Sequence, residues 1–389
     1  MRAALVEEFR ARFGREPAAG ARAPGRVNVI GEHTDYNEGL VLPCAIDRGT
    51  IALVSPRADD RVRVFSRERS EERTFDCRSL DRRGDWVDYL RGVFAALRES
   101  GVATAGFDIA LASDVPLEAG LSSSAALLLA VVTAIDHCLA LGIDVPRRCH
   151  LARRAEVEFV GVPCGAMDFL ASGLGKRDQL LRIDCRSLAV ELVPWPSGRV
   201  ELLVADSGTR RALATGAFAE RRAECAQALA AVRRAGSVPE HDGALRDVTP
   251  DLLPSLERTL PRRLFQRLRH VVSENERVKA SCAALRAGDV VGLGELLRAG
   301  MRSLREDFDV STPELDTLCR LADGAPGVHG SRLTGAGFGG CTLHLVDAAA
   351  AGEVRTYLAR EYARRTGRQG RIFSVSPADG AEVLTGIGA

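Results

Sequence analysis

Apolar and polar positions along the chain follow two periods, and stretches of each period alternate from end to end. Val41–Val54 is apolar with small polar breaks, which predicts a strand and its partner. Phe107–Ala112, Leu180–Cys185, Val200–Asp206 and Cys341–Val346 predict further strands. Leu121–Leu141 predicts a long helix with an apolar face, opened by Ser and Ala, and Cys149–Val160 predicts another. Ala217 to Ala235 is helical with Arg and Glu on one face, and Leu264–Arg286 predicts a long helix. Ser311-Thr312-Pro313-Glu314 predicts a helix start: a Ser-x-x-Glu capping box with Pro in the first turn. Strands and helices mixed along the whole length predict an α/β or α+β protein. A weak break at Pro194–Gly198 predicts two domains, 1–197 and 198–389.

Composition narrows the classes. The 389 residues suffice for two or three domains and a cleft between them. Lys+Arg is 53 and Asp+Glu is 52, a net charge of +1, which argues against a nucleic-acid partner. The 46% hydrophobic content argues against disorder. Lys176 and Lys279 are the only lysines, so a lysine nucleophile or phosphate anchor has two places to be. The longest apolar runs lie in Ala125–Ile135, well short of the roughly 20 residues that span a bilayer. The N-terminus is charged throughout, without an apolar segment of signal-peptide length. The expectation is a cytoplasmic monomer with no membrane partner. The ten cysteines, with no CxxC pair, then read as reduced thiols.

Three segments carry chemistry. In Ala23–Pro43, APGRVNVIGEHTDYNEGLVLP, two apolar stretches enclose Arg26, Asn28, Glu32, His33, Asp35, Tyr36 and Asn37. This is either a polar turn or a polyol site, since carboxylates accept hydrogen bonds from sugar hydroxyls. In Val115–Leu127, VPLEAGLSSSAAL, a glycine turn and three serines open an apolar helix. This is either a plain capped helix or an anion site at a helix N-terminus. No Lys follows the glycine, so it is not a Walker A loop. In Ser331–Val346, SRLTGAGFGGCTLHLV, Gly335, Gly337 and Gly340 fit G-x-G-x-x-G formally. A β-like stretch follows where a dinucleotide fold needs a helix, so a glycine turn between strands is the better reading.

Taken together and in this order, the segments resemble the GHMP family of small-molecule kinases, and within it the galactokinase branch. GRVNVIGEHTDYNEGLVLP is very close to the galactokinase signature. VPLEAGLSSSAAL is similar to the GHMP phosphate loop, and SRLTGAGFGGCT to the third GHMP motif. EFVGVPCGAMD, LLRIDCRSL, RHVVSENERV and SLREDFDVSTPELD fit as well, so the likeness spans nearly the whole chain. The resemblance implies a two-domain GHMP fold with ATP and sugar in the cleft. It implies ATP-dependent phosphorylation of the anomeric hydroxyl of galactose. It places Asp168 and Arg26 as catalytic residues, and Glu32, His33, Asp35 and Gly165 on the sugar. Gly120, Leu121, Ser122 and Ser123 would cradle phosphates, and Ser124 and Glu156 would hold Mg²⁺. Trp86 would line the nucleotide pocket; ordinary core packing is the other reading of it, and a solvated helix carboxylate that of Glu156. Asp168 would act as general base. Arg26 beside it would keep it ionised and make it a weaker base, so a positioning role is equally open.

Two departures stand out. Phe169 occupies a position where galactokinases usually have Gln. Phe218 occupies that of a sugar-pocket Tyr, in SGTRRALATGAFAERRAEC, with Arg211 where the family has His. Phe218 keeps the ring and loses the hydroxyl. Three readings follow: a galactokinase with tolerated pocket variation, a 1-kinase for a related amino, deoxy or uronic sugar, and a non-catalytic sugar and ATP sensor.

Overall fold

A computed structural model of the chain describes residues 1–102, 105–116, 119–209 and 214–387. Leu117 and Glu118 of the second motif, and Arg211, lie outside the described residues. In chain order come α1 (Arg2–Phe13), β1 (Ala19–Asn28), β2 (Leu40–Val41), β3 (Pro43–Pro56), β4 (Arg61–Ser66) and β5 (Glu71–Asp76). Then follow α2 (Asp88–Glu99), β6 (Phe107–Ser113), α3 (Ser123–Cys138), α4 (Val145–Arg154), α5 (Met167–Leu174), β7 (Gln179–Asp184), β8 (Val190–Pro194) and β9 (Val200–Asp206). The remainder holds α6 (Ala214–Arg234), α7 (Leu253–Thr259), α8 (Arg262–Ala287), α9 (Val290–Glu306), α10 (Pro313–Asp323), β10 (Val328–Thr334), β11 (Cys341–Asp347), α11 (Ala351–Thr366), β12 (Arg371–Val375) and β13 (Glu382–Val383).

The first sheet has the order β13-β1-β3-β6-β4-β5, antiparallel except for the β4–β6 pair. Its central strands β1, β3 and β6 are buried on both faces, while the edge strand β5 is mostly exposed. In β3, Ala52 and Val54 face α2 and α3, while Ile51 and Leu53 face Leu5, Phe9 and Phe13 of α1. The second sheet, β10-β11-β9-β12, is wholly antiparallel. Leu203 and Ala205 pack towards Leu318, Leu358 and Tyr362 of α10 and α11. Leu202 and Val204 join Val278, Leu293 and Leu297 of α8 and α9. That same core takes in Val27, Val29 and Ile30, so a continuous apolar floor joins the two sheets. A small third sheet, β2-β7-β8, lies beside it.

Three local expectations change. Within Val41–Val54, Val41 ends the short β2 and the rest belongs to one long strand, Pro43–Pro56, whose partner is the preceding β1, which carries the first motif. The predicted helix Cys149–Val160 is regular only to Arg154, after which Ala155–Val160 widens into a π turn closed by Gly161 at φ 81°. The cap of α10 lies one residue later than Ser311: Thr312 is extended and its hydroxyl accepts from the Leu315 N–H at 3.3 Å. Ser311 instead donates to Asp316 at 2.8 Å. The third motif is a glycine turn between antiparallel β10 and β11, as read from the sequence. The chain's last described residues return to the first sheet, where β13 pairs with β1.

Candidate active site

Strand β1 alternates between two environments. Val27 enters the shared core, while Arg26 and Asn28 line a cavity on the opposite side. Gly25 permits this placement, because a Cβ there would meet the Leu121 carbonyl oxygen at 2.6 Å. The Arg26 N–H donates to that same carbonyl at 3.0 Å. Its guanidinium donates to the Gly120 carbonyl at 2.6 Å and, through Nε, to Asp168 Oδ1 at 2.8 Å, and Nη2 makes an ion pair with the same oxygen at 2.6 Å. Arg26 therefore ties the glycine–serine loop to Asp168 at the start of α5. Both contacts fall on Oδ1; Oδ2 has none among the described residues.

The chain after β1 supplies the rest of the cavity. Glu32, His33, Asp35 and Phe218 line it, with Gly165, Asp168 and Gly335. A Cβ at Gly165 would come within 2.3 Å of Asp35 Oδ2, so a larger residue there would push that carboxylate aside. Burial pushes Asp35 up to about 6, with the nearby Asp168 charge adding to the rise. Burial likewise raises Glu32 to about 7, against the pull of Arg332. His33 sits in the left-handed region at φ 63° and lies against Phe308, ring centroids 4.5 Å apart. Burial depresses it to about 3, so the ring is neutral. The Tyr36 hydroxyl donates to Nδ1 at 2.9 Å, and Nε2–H donates to the Ala336 carbonyl at 3.2 Å. Phe218 packs 5.6 Å from the Tyr36 ring and 5.9 Å from His33. Asn28 is fully buried, and neither end of its amide finds a partner among the described residues.

A second cavity adjoins the start of α3. Ser123, Ser124 and Leu127 line it with Trp86, Tyr89 and Arg69. Trp86 is half-buried, donates to Glu71 at 2.8 Å and lies 5.6 Å below the Arg69 guanidinium. Its ring packs against the first core and also lines this cavity. Gly120 and Ser122 take positive φ, 79° and 56°, which turns the loop into the helix. The Ser122 hydroxyl is buried with no partner among the described residues. The π turn brings Glu156 inside while Glu158 stays exposed. Burial pushes the Glu156 carboxyl up to about 7, against the pull of the neighbouring Ser124 hydroxyl. The solvated-carboxylate reading of Glu156 is therefore corrected. Phe169, one residue past Asp168, turns into the first core at 1% exposure and does not line the sugar cavity.

The sequence reading missed the residues that hold the Glu32 segment. Helix α8 presents His270, Glu274 and Asn275 to it: Nε2 of His270 bonds the Glu32 carbonyl at 3.0 Å, Glu274 accepts from the Gly31 N–H at 2.9 Å, and Asn275 accepts from the Leu40 N–H at 2.7 Å. Their spacing of four and five puts them on one helix face. The RHVVSENERV stretch was the available signal. Arg332, on β10, pairs with both Glu32 and Glu274.

Among the described residues no group of three or more His, Cys, Asp or Glu could hold a metal, and no helix is long and apolar enough to cross a membrane. The family model described as the galactokinase galactose-binding signature matches residues 7–56. The N-terminal and C-terminal domain models of the GHMP kinases match 88–176 and 282–364. A galactokinase of Roseiflexus sp. (strain RS-1) is 44% identical over 379 residues, covering 97% of this chain and 95% of its own. The human galactokinase is 37% identical, covering 97% and 95%. The crystal structure of Lactococcus lactis galactokinase complexed with galactose superimposes with a TM-score of 0.93 at 31% identity, over 98% of this chain and 100% of that one. With its signature, both GHMP domains and near full-length relatives in agreement, the chain belongs to the galactokinase family of GHMP kinases.

Proposed function

We propose that the protein transfers the γ-phosphoryl group of ATP to the anomeric hydroxyl of galactose, giving galactose 1-phosphate and ADP. The observation that carries this reading is the Arg26–Asp168 pair standing between the sugar cavity and the glycine–serine loop. The sugar binds among Glu32, Asp35 and Gly165, and the two carboxylates accept from its hydroxyls. His33 has both ring nitrogens committed, so it serves by fixing Tyr36 and the turn at Ala336 against the sugar. Asp168 receives the anomeric proton on its unpaired Oδ2 as the O–P bond forms and the bond to ADP breaks. Arg26 keeps Asp168 oriented and places its positive charge near the transferred group.

Gly120, Leu121, Ser122 and Ser123 receive the phosphates, and the unpartnered Ser122 hydroxyl and the α3 N-terminus fit an anion there. Trp86 lines the pocket for the base. Ser124 and Glu156 would hold Mg²⁺; two adjacent oxygen donors suit an ion that keeps several waters and phosphate oxygens as its other ligands. When bound, Mg²⁺ would neutralise charge on the phosphoryl oxygens.

With Phe169 in the core, one of the two reasons for expecting a shifted sugar falls away. The test is ADP release with Mg²⁺-ATP across galactose, glucose, talose, 2-deoxygalactose, galactosamine and galacturonate. Galactose is expected to be preferred. Asp168→Asn is expected to lose about 10²–10⁴-fold in kcat while still binding galactose. Turnover only with another sugar would overturn the substrate, and full activity of the variant would overturn the role of Asp168.

A further inference from the structure

Glu32 is the acidic group of the sugar cavity whose cation comes from the far end of the chain. Arg332 on β10 has 0% exposure and is among the largest fully buried side chains. Its Nη2 bridges Glu32 Oε2 and Glu274 Oε1, the latter at 2.9 Å. Glu274 is held in turn by the Gly31 N–H at 2.9 Å and by Arg277 Nε at 2.6 Å. The Gly335 N–H donates to the other oxygen of Glu32 at 3.3 Å, and His270 holds its carbonyl. Both carboxyl oxygens and the backbone of Glu32 are thus fixed from α8 and β10. A buried ion network of this kind is weak evidence for stability, because apolar side chains of the same volume usually serve as well or better. Its use must lie elsewhere.

We propose that Arg332 is a positioning residue for sugar binding: it aims the Glu32 carboxylate at the sugar and favours its charged form there, and Glu274 seats Arg332. This rests on the galactose reading of the cavity. An ionised carboxylate only accepts hydrogen bonds, so it selects a hydroxyl donor at that place on the ring.

Two charged neighbours of opposite sign set the ionisation of Glu32. Burial raises it, Arg332 lowers it and Glu274 raises it further. Glu274 itself is held low by Arg332 and Arg277, against its burial. The other groups facing Glu32 are His270 and His33, which burial holds neutral, with Asp35, Arg26 and Asp168 across the cavity. Removing Glu274's charge must therefore ease the ionisation of Glu32, and removing Arg332's must hinder it.

The test is equilibrium galactose binding to the full chain, without nucleotide, from about pH 5.5 to 8.5. Binding of the unsubstituted protein weakens as pH falls through the range of Glu32; Asp35 adds a limb that neither variant moves. Glu274→Gln, which keeps an acceptor for the Gly31 N–H, moves the Glu32 limb to lower pH. Arg332→Met moves it to higher pH and weakens binding at neutral pH by about fivefold, because a limb near 7 displaced by about one pH unit takes the ionised fraction from about one half to about one tenth. At saturating galactose, kcat changes far less than KM in both. Limbs that move in opposite directions support the inference, since a merely structural role moves both variants the same way. If Arg332→Met does not fold, Glu274→Gln decides alone: a limb moved down supports it, an unmoved limb overturns it. Binding lost in parallel at every pH overturns it too. No galactose binding by the unsubstituted protein overturns the galactose reading, and this inference with it.

Discussion

Asn28 concentrates the conflict between stability and use at a single side chain. Its backbone is satisfied by Thr334, whose hydroxyl donates to the Asn28 carbonyl at 2.9 Å. Its amide is buried without a partner at the cavity wall. A buried unmade hydrogen bond costs about 1–3 kcal/mol, and an apolar group of the same shape removes that cost. Asn28→Leu is therefore expected to leave the ligand-free protein equally stable, or to stabilise it by about 1 kcal/mol. Urea unfolding without ligands measures this, and a loss of that size would instead place a buried water on the amide. The two phenylalanines show how far single residues can be read. Both stand where the family resemblance leads one to expect a polar group, so both read as pocket changes in the sequence. Phe218 is one, and it packs on Tyr36 and His33 in the cavity. Phe169 is not, because one step along a helix turns the side chain by about 100° and carries it from the cavity to the core. Sequence names the neighbour of Asp168 but not the direction in which it points.

The elements that were legible are those whose period is clean. Phe107–Ser113, Val200–Asp206 and Cys341–Asp347 read as strands because an apolar core on both faces leaves few polar breaks. Strand β1 was hidden by Pro24, Gly25, Arg26 and Asn28, whose placement serves the site and interrupts the pattern. Pairing with β3 on one side and β13 on the other makes it a strand nonetheless. The π turn was hidden for a similar reason: its helical period continues while the backbone widens to bring Glu156 inward. Arg332 was hidden by distance, being 300 residues from the Glu32 it pairs with. One element contact joins these parts. Thr334, at the end of β10, clasps both backbone groups of Asn28, accepting from its N–H at 3.3 Å as well as donating to its carbonyl. Thr334→Val keeps the shape and removes the hydroxyl, leaving that N–H and C=O unpaired at 0% exposure. The expected loss is about 1–3 kcal/mol of stability. A Tm equal to that of the unsubstituted protein would show that the clasp contributes nothing.

For the whole molecule, the site imposes a particular response to pH. Burial holds His33 at about 3, His270 at about 4 and His344 at about 3. Each stays neutral in the fold and takes a proton when unfolded, so each adds stability above 6.5 that is lost as pH falls through the window down to its folded value. Burial raises Glu32 and Glu156 to about 7 and Asp35 to about 6. Each keeps in the fold a proton that the unfolded chain releases near 4, so stability is lost as pH rises from there to the folded value. Each unmatched proton tilts stability by about 1.4 kcal/mol per pH unit. Between about pH 5 and 6.5 three groups tilt one way and three the other, and the ligand-free Tm is expected to be nearly flat. Below about pH 4 the unfolded chain holds protons on these three carboxyls as well, so they no longer offset the histidines. Glu274, Asp108 and Asp184, held low in the fold by their arginines against burial, then act with the histidines, and Tm falls steeply. Galactose and Mg²⁺-ATP remove this balance, because they require ionised Glu32, Asp35 and Glu156. The rise in Tm that they produce must grow with pH, most between about 6 and 7.5. Thermal unfolding at stepped pH, with and without both ligands, reads the two curves together. A steep ligand-free decline from pH 6.5 to 5 would mean that the carboxyls are not held protonated in the fold. A ligand-induced rise independent of pH would mean that the bound sugar and nucleotide do not engage them.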